Sequence, residues 1–255
     1  MTDNLDISLS GYGEQKEAKA DLVILPWGAT EPHGLHLPYL TDALLARDVA
    51  LDAARLARDE YGHRCVVLPA MPLGSHNPGQ YDLPFCLHFR QETQQAVLRD
   101  IVRSLTRQGT RKLVIINGHG GNSFKGMIRD LAFDCPDLLI LAAEWYRAAD
   151  PKEYFEIVGD HADELETSVM MHYHPELVDL QRAGDGGARA VFAPEALRKG
   201  IAWTPRDWSQ ISRDTGVGDP RKATAAKGKA FAQAVAARFA DLFHRLLTEP
   251  LYTDL

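Results

Sequence analysis

Four short apolar runs, separated by stretches of helical spacing, constrain this chain more than any other feature. "DLVILPWG" (21–28), "RCVVLPAMPLG" (64–74), "KLVIINGHGGN" (112–122) and "DLLILAAEWY" (137–146) are rich in aliphatic residues and closed by Pro, Gly or aromatic residues. Such runs read as buried strands. Between the first two, Leu44, Leu45, Val49, Ala53 and Leu56 recur at helical spacing over Ala43–Glu60, with Thr41 or Asp42 placed to cap the helix. Val97, Leu98, Ile101, Val102 and Leu105 mark a second helix over Gln91–Arg107, and a third is expected from Ser123 to Phe133. Strands alternate with helices over the first ~145 residues, which predicts an α/β fold with a mostly parallel sheet covered on both faces. Crossovers between parallel strands are then right-handed.

"DHADELETSVMMHYH" (160–174) reads as a loop entering a helix. Residues 180–219 carry Gly, Pro, Arg and Trp with weak periodicity. A last helix spans about 222–247, with Phe231, Val235, Phe239, Leu242 and Leu246 on one face. The first 20 residues lack a period and are expected to form an irregular arm. With no internal repeat or linker, one domain over 1–255 is expected.

Several function classes fall away at this stage. The net charge of −7 argues against a nucleic-acid partner, since phosphate binding needs a basic face. No apolar run is long enough to span a bilayer. The N-terminus lacks the basic and apolar regions of a secretory signal, so a cytoplasmic location is expected. Cys65, Cys86 and Cys135 are odd in number and lack CxxC spacing; they read as incidental thiols rather than a disulfide or structural zinc framework.

In an open parallel sheet, ligands bind beyond the carboxyl ends of the strands. Three segments there carry metal-capable side chains. "GATEPHGLHLPYLTD" (28–42) holds Glu31, His33, His36 and Asp42. Residues two apart in extended backbone point the same way, so Glu31 and His33 share a face. Asp42, at the start of the helix, is placed to reach back and bridge two ions. In "NGHGGN" (117–122), His119 lies among glycines. A Gly-rich turn also suits phosphate at a helix N-terminus, but this one has neither GxGxxG nor a GK[ST] ending, and its histidine fits a metal better. "DHADELETS" (160–168) taken alone is better explained by acids serving a helix dipole. His-carboxylate sets favour Zn²⁺, Mn²⁺ or Fe²⁺ over Ca²⁺ or Mg²⁺.

These three segments, in this order and spacing, resemble the signature segments of the creatinine amidohydrolase (creatininase) family. Glu31, His33, Gly34, His36, Leu37, Pro38, Thr41 and Asp42 stand in the register of the family's first segment. The resemblance runs over roughly 21–173. It implies a three-layer α/β/α domain, two divalent metal ions (Zn²⁺ first, Mn²⁺ or Fe²⁺ as alternatives), hydrolysis of a C–N bond in a small cyclic or linear amide, and a homo-oligomer, a hexamer in many members. By position, Glu31, His33, Asp42 and His119 resemble metal ligands, with Asp42 bridging. Creatininases proper carry a metal-binding glutamate where this chain has Gly121; in the NGHGGN-type branch Glu166 resembles the substitute. His161 resembles the proton-shuttling residue, and Asp160, just before it, is expected to orient or charge-stabilise it.

A second departure is "GSHNPGQYDLPFCLHF" (74–89), where the family has an FPGT-like stretch that shapes the pocket. Within it, substrate contact and a plain polar loop weigh equally for Ser75 and His76. His36 is read as a supporting histidine, Trp145 and Tyr146 as core, and His172 and His174 as structural. The competing functions are a deformylase or peptidase-like member of the same family, a catalytically silent metal-binding assembly subunit, and a nucleotide-binding α/β protein.

Overall fold

A computed structural model describes residues 4–17, 19–187 and 190–253. Its four strands are β1 (Leu22–Trp27), β2 (Cys65–Val67), β3 (Lys112–Asn117) and β4 (Leu139–Glu144). They form one sheet, ordered β2-β1-β3-β4, with every pair parallel. The helices are α1 (Tyr12–Gln15), α2 (Thr41–Tyr61), α3 (Gln91–Arg107), α4 (Lys125–Asp134), α5 (Glu164–Tyr173), α6 (Glu195–Arg198), α7 (Trp208–Ile211) and α8 (Ala225–Thr248). The three-layer α/β/α class expected from the sequence is the class observed.

The two-residue side-chain period of a strand builds both cores. Leu22, Ile24, Val114 and Ile116 face α2, α5 and α8, while Val23, Leu25, Trp27, Leu113 and Ile115 face α3 and α4. At the centre of the first core, Phe231 meets Trp145, Tyr154 and Phe155 at ring distances of 5.2 to 6.1 Å. Truncating so buried an aromatic costs about 3–5 kcal/mol.

The order of connections positions the site. The chain leaves β1 for β2 on one side, then returns past β1 to β3 on the other. That reversal opens a crevice beyond the carboxyl ends of β1 and β3, the place where open α/β sheets bind ligands.

The second run is a strand that passes into a loop, as expected: β2 stops at Val67, because Pro69 and Pro72 have no N–H for the ladder. Two local expectations change. The N-terminal segment is not wholly irregular: it makes a 3₁₀ turn at Ile7–Leu9 and the short α1, and Leu5 enters the core. Neither Thr41 nor Asp42 caps α2. Leu40 occupies that position without a side-chain bond, Thr41 donates to the Pro38 carbonyl, and Asp42 sits in the first turn with its carboxylate turned elsewhere.

Candidate metal centre

The loop after β1 delivers Glu31 and His33, the first turn of α2 delivers Asp42, and the loop after β3 delivers His119. Glu31 and His33 are 1% and 0% exposed and Asp42 is 2% exposed. β3 ends directly against α2, because Gly118 has no Cβ: one built there would lie 2.3 Å from the Asp42 carbonyl oxygen. From the other side, the segment before α5 brings His161, and the first turn of α5 brings Glu166.

Main-chain carbonyls fix the histidine tautomers. His119 Nε2 lies 2.8 Å from the Ser75 carbonyl, His161 Nε2 2.8 Å from that of Pro32, and His33 Nδ1 3.1 Å from that of Glu31. Each of these nitrogens must donate, so the other ring nitrogen of each neutral imidazole presents a lone pair to the centre. His119 Nδ1 then faces Glu31 Oε1 at 2.8 Å and Asp42 Oδ2 at 3.1 Å. His33 Nε2 faces Asp42 Oδ1 at 2.9 Å and Glu166 Oε1 at 3.9 Å. His161 Nδ1 lies 3.8 Å from Glu31 Oε1.

Such convergence of acceptors is repulsive unless something positive stands among them. Asp42 Oδ2 is buried and receives no hydrogen bond, despite lying near His119, because that ring has already given its proton to Ser75. Asp42 thus offers one oxygen to each of two donor sets. Imidazole nitrogen with carboxylate oxygen is the donor chemistry of Zn²⁺ and neighbouring divalent ions, and the residues fit such ions.

Protonation is the alternative source of positive charge, and the titration behaviour shows the demand for it. Burial works against the charged form of His33, yet the Asp42 carboxylate beside it, with Glu166 and Glu31, raises it to about 10. Burial likewise opposes ionised Glu31, but the His119 and His161 charges hold its carboxyl well below the usual range. Burial pushes Glu166 up to about 8 against the pull of His33. For His161, burial and then the His33 charge lower the imidazole below its ordinary value.

Glu31, His33, Asp42, His119, His161 and Glu166 therefore come together. Asp160 does not join them. Its half-exposed carboxylate pairs with Arg206 Nη2 at 2.5 Å, and the Pro32 carbonyl, not Asp160, orients the His161 ring. A glutamate at 121 is sterically excluded, since a Cβ there would lie 2.1 Å from the Ser75 carbonyl oxygen and 2.5 Å from His119 Nε2. Glu166 approaches His33 instead.

Gln80 was not legible as a site residue, and His76 was weighed as a substrate contact rather than as a neighbour of Glu31. His76 is buried with Nδ1 3.3 Å from Glu31 Oε2, and the Gln80 amide donates to that same oxygen. The departure of the 74–89 segment from the family pattern was the one hint of Gln80. His36 is a supporting residue, bonded to Thr167 Oγ1 at 2.8 Å, and His174 binds Asp48 away from the centre.

The centre opens into a cleft of about 1450 Å³ walled by Tyr146, Trp208 and Arg206. Trp145 is core, whereas Tyr146 lines the cleft, against the expectation that both are core. Trp208 packs its ring edge-to-face with His161 at 5.4 Å, so the 180–219 region covers one side of the centre.

Comparison with known proteins points to one family. The creatininase family model, described as creatinine amidohydrolase, matches residues 11–243. The chain is 31% identical over 217 residues to the mycofactocin precursor peptide peptidase of Mycobacterium ulcerans, covering 81% of this chain and 78% of that one. It is 30% identical over 204 residues to the creatinine amidohydrolase of Pseudomonas putida, covering 71% and 75%. The crystal structure of a candidate creatinine amidohydrolase from Bacteroides fragilis superposes with a TM-score of 0.95 at 56% identity, over 99% of this chain and all of that one. With the family model spanning most of its length, this chain belongs to the creatininase family of hydrolases.

Proposed function

We propose that this protein is a metal-dependent amidohydrolase that cleaves a C–N bond at a dinuclear centre. The observation that carries the reading is Asp42, whose two oxygens face the Glu31/His119 set and the His33/Glu166 set respectively. Glu31, His119 and Asp42 would hold one ion; His33, Glu166 and Asp42 would hold the other. Zn²⁺ is the first choice, with Mn²⁺ or Fe²⁺ as alternatives. When bound, such a pair supplies an ionised water near neutral pH and an electrophile for the amide oxygen.

The remaining work falls to the protein. His161 stays neutral because burial disfavours its cation, so its Nδ1 lone pair is available to accept a proton and deliver it to the leaving nitrogen. The Pro32 carbonyl and the Trp208 ring prevent that imidazole from turning. Tyr146 and Trp208 line the cleft where the substrate would lie.

A second reading, cleavage of a peptide bond, is favoured by the size of the cleft. At about 1450 Å³ it exceeds the roughly 300–1000 Å³ that a drug-sized ligand occupies. A relative among the peptide peptidases supports the same direction.

The test is a hydrolysis screen of the ion-loaded chain against creatinine, other cyclic amides, linear amides and short peptides, with and without chelator. Amine release abolished by chelator is expected. Failure to take up metal would sink both readings.

A further inference from the structure

Two carboxylates of the centre are each divided between a protein donor and the imidazoles. Glu166 Oε2 accepts the Ala162 N–H at 2.6 Å, which leaves Oε1 towards His33. Glu31 is divided the same way. Its Oε1 faces His119 and His161, while its Oε2 accepts the side-chain amide of Gln80. Asp42 differs, since both of its oxygens face imidazole nitrogens.

The Gln80 amide is itself held in one orientation. Its Oε1 accepts the Asn77 N–H at 3.0 Å and lies 3.3 Å from Asn77 Nδ2. The amide oxygen is thus committed, and the NH₂ group must face Glu31. Gln80 is 3% exposed and Glu31 1%, so water does not compete for the contact.

His76 does not substitute for it. His76 Nε2 lies 3.2 Å from the Leu87 carbonyl and gives its proton there, and its Nδ1 is buried without a partner. Among the described residues, the Gln80 amide is the donor that reaches Glu31 Oε2. Without it, a buried carboxylate oxygen would confront the His76 lone pair at 3.3 Å, and Glu31 would rotate away.

We infer that Gln80 is a positioning residue: it fixes Glu31 so that Oε1 alone is offered to the ion on the His119 side, and thereby sets the affinity of that one position without touching substrate. The inference rests on the dinuclear reading above. Its physical basis is preorganisation. A carboxylate already locked in its binding rotamer loses less freedom when an ion arrives, and a ligand's hydrogen-bond partner typically accounts for about 10–100-fold in metal affinity. Gln80 lies in the 74–89 segment that departs from the family's FPGT-like stretch.

The test is equilibrium Zn²⁺ titration against a chromophoric chelator, on the full chain and on Gln80→Met, which keeps the length and removes the donor. Unfolding midpoints of the metal-free proteins are measured alongside. The wild type is expected to take two ions. Gln80→Met should weaken one of the two by about 10–100-fold and leave the other unchanged. In a Glu31→Ala background the same substitution should have no further effect on ion affinity, because the two residues act as one unit.

Wild-type affinity at both positions in Gln80→Met would overturn the inference and leave the dinuclear reading standing. Equal weakening of both positions with a lowered metal-free midpoint would reduce Gln80 to a packing residue, which also overturns it. Fewer than two ions in the wild type would overturn the dinuclear reading, and the inference with it. If Gln80→Met does not fold, Gln80→Asn, whose amide falls one methylene short of Glu31, is read by the same criteria.

Discussion

Replacing Gly121 by alanine challenges the geometry around His119 most directly. The added Cβ would stand 2.1 Å from the Ser75 carbonyl oxygen and 2.5 Å from His119 Nε2. Comfortable contact begins near ~3.5 Å, so both atoms are overlapped by an ångström or so. Neither is a free side-chain end. They bond each other at 2.8 Å, and Ser75 is further tied by its hydroxyl to the Phe89 carbonyl and by its N–H to Asn122. Relief must open the Ser75–His119 bond. Overpacking costs about 1–3 kcal/mol and the lost hydrogen bond about 0.5–1.5 kcal/mol, roughly 2–4 kcal/mol together. At about 2–4 °C per kcal/mol for a chain of this size, the melting temperature should fall by about 4–16 °C. His119, released from Ser75, should also lose about 10–100-fold in ion affinity. Scanning calorimetry and Zn²⁺ titration of Gly121→Ala measure both. A midpoint within about 2 °C of wild type, a loss under about 1 kcal/mol, with full ion uptake would refute the close approach. Gly121→Glu combined with Glu166→Gln, which restores the glutamate expected of creatininases proper, should fare worse still.

Four further outcomes follow from the same geometry. Asp42→Asn removes the charge shared by both donor sets and should lower bound Zn²⁺ below two per chain in elemental analysis; two retained ions would exclude a bridging role. His161→Ala should keep its metal while turnover on any substrate found in the screen falls by about 10²–10⁴, and parallel loss of metal would instead make His161 a ligand. Because His161 acts as the neutral base and its folded pKa lies below 6.5, kcat/KM should hold at neutral pH and fall only as pH drops below that value; an acid limb above 7 would contradict the assignment. In chelator-treated protein, the raised His33 value contributes stability that is complete below about 6.5 and lost by about 10, and the raised Glu166 value contributes stability lost between about 4.5 and 8. The metal-free melting temperature should therefore decline from pH 6.5 to 10, a decline that saturating Zn²⁺ should suppress.

The strand-helix alternation was legible because each element buries a face at its own period, and α3 is found at Gln91–Arg107, the range its apolar spacing predicts. Long-range pairing was less legible. The acidic run at 163–166 reads as one dipole-serving cluster, yet its members part. Asp163 caps α5, Glu164 is buried against Lys227, and Glu166 turns to His33. Side chains in one helical turn point about 100° apart, so which acid meets the histidines depends on where α5 docks, information absent from local spacing. The family resemblance, not the residue pattern, singled out Glu166. Asp160 was misread for a related reason: adjacency in sequence to His161 suggested a pair, whereas its partner Arg206 lies 46 residues on. Gln80 comes from an aperiodic loop and announces itself only when that loop is folded over Glu31, while His76, weighed from the sequence as a substrate contact, is found facing Glu31.

The imidazoles of this centre take their bearings from peptide carbonyls: those of Ser75, Pro32 and Glu31, and for His76 that of Leu87. Every amino acid carries that acceptor. The residues at 32, 75 and 87 can therefore be exchanged without erasing the groups that aim the rings, provided the local backbone path survives. Loops around such a centre are free to be rewritten for new substrates while the rings keep their aim. This is a physical route by which one scaffold can come to serve ligands as unlike as a small cyclic amide and a peptide.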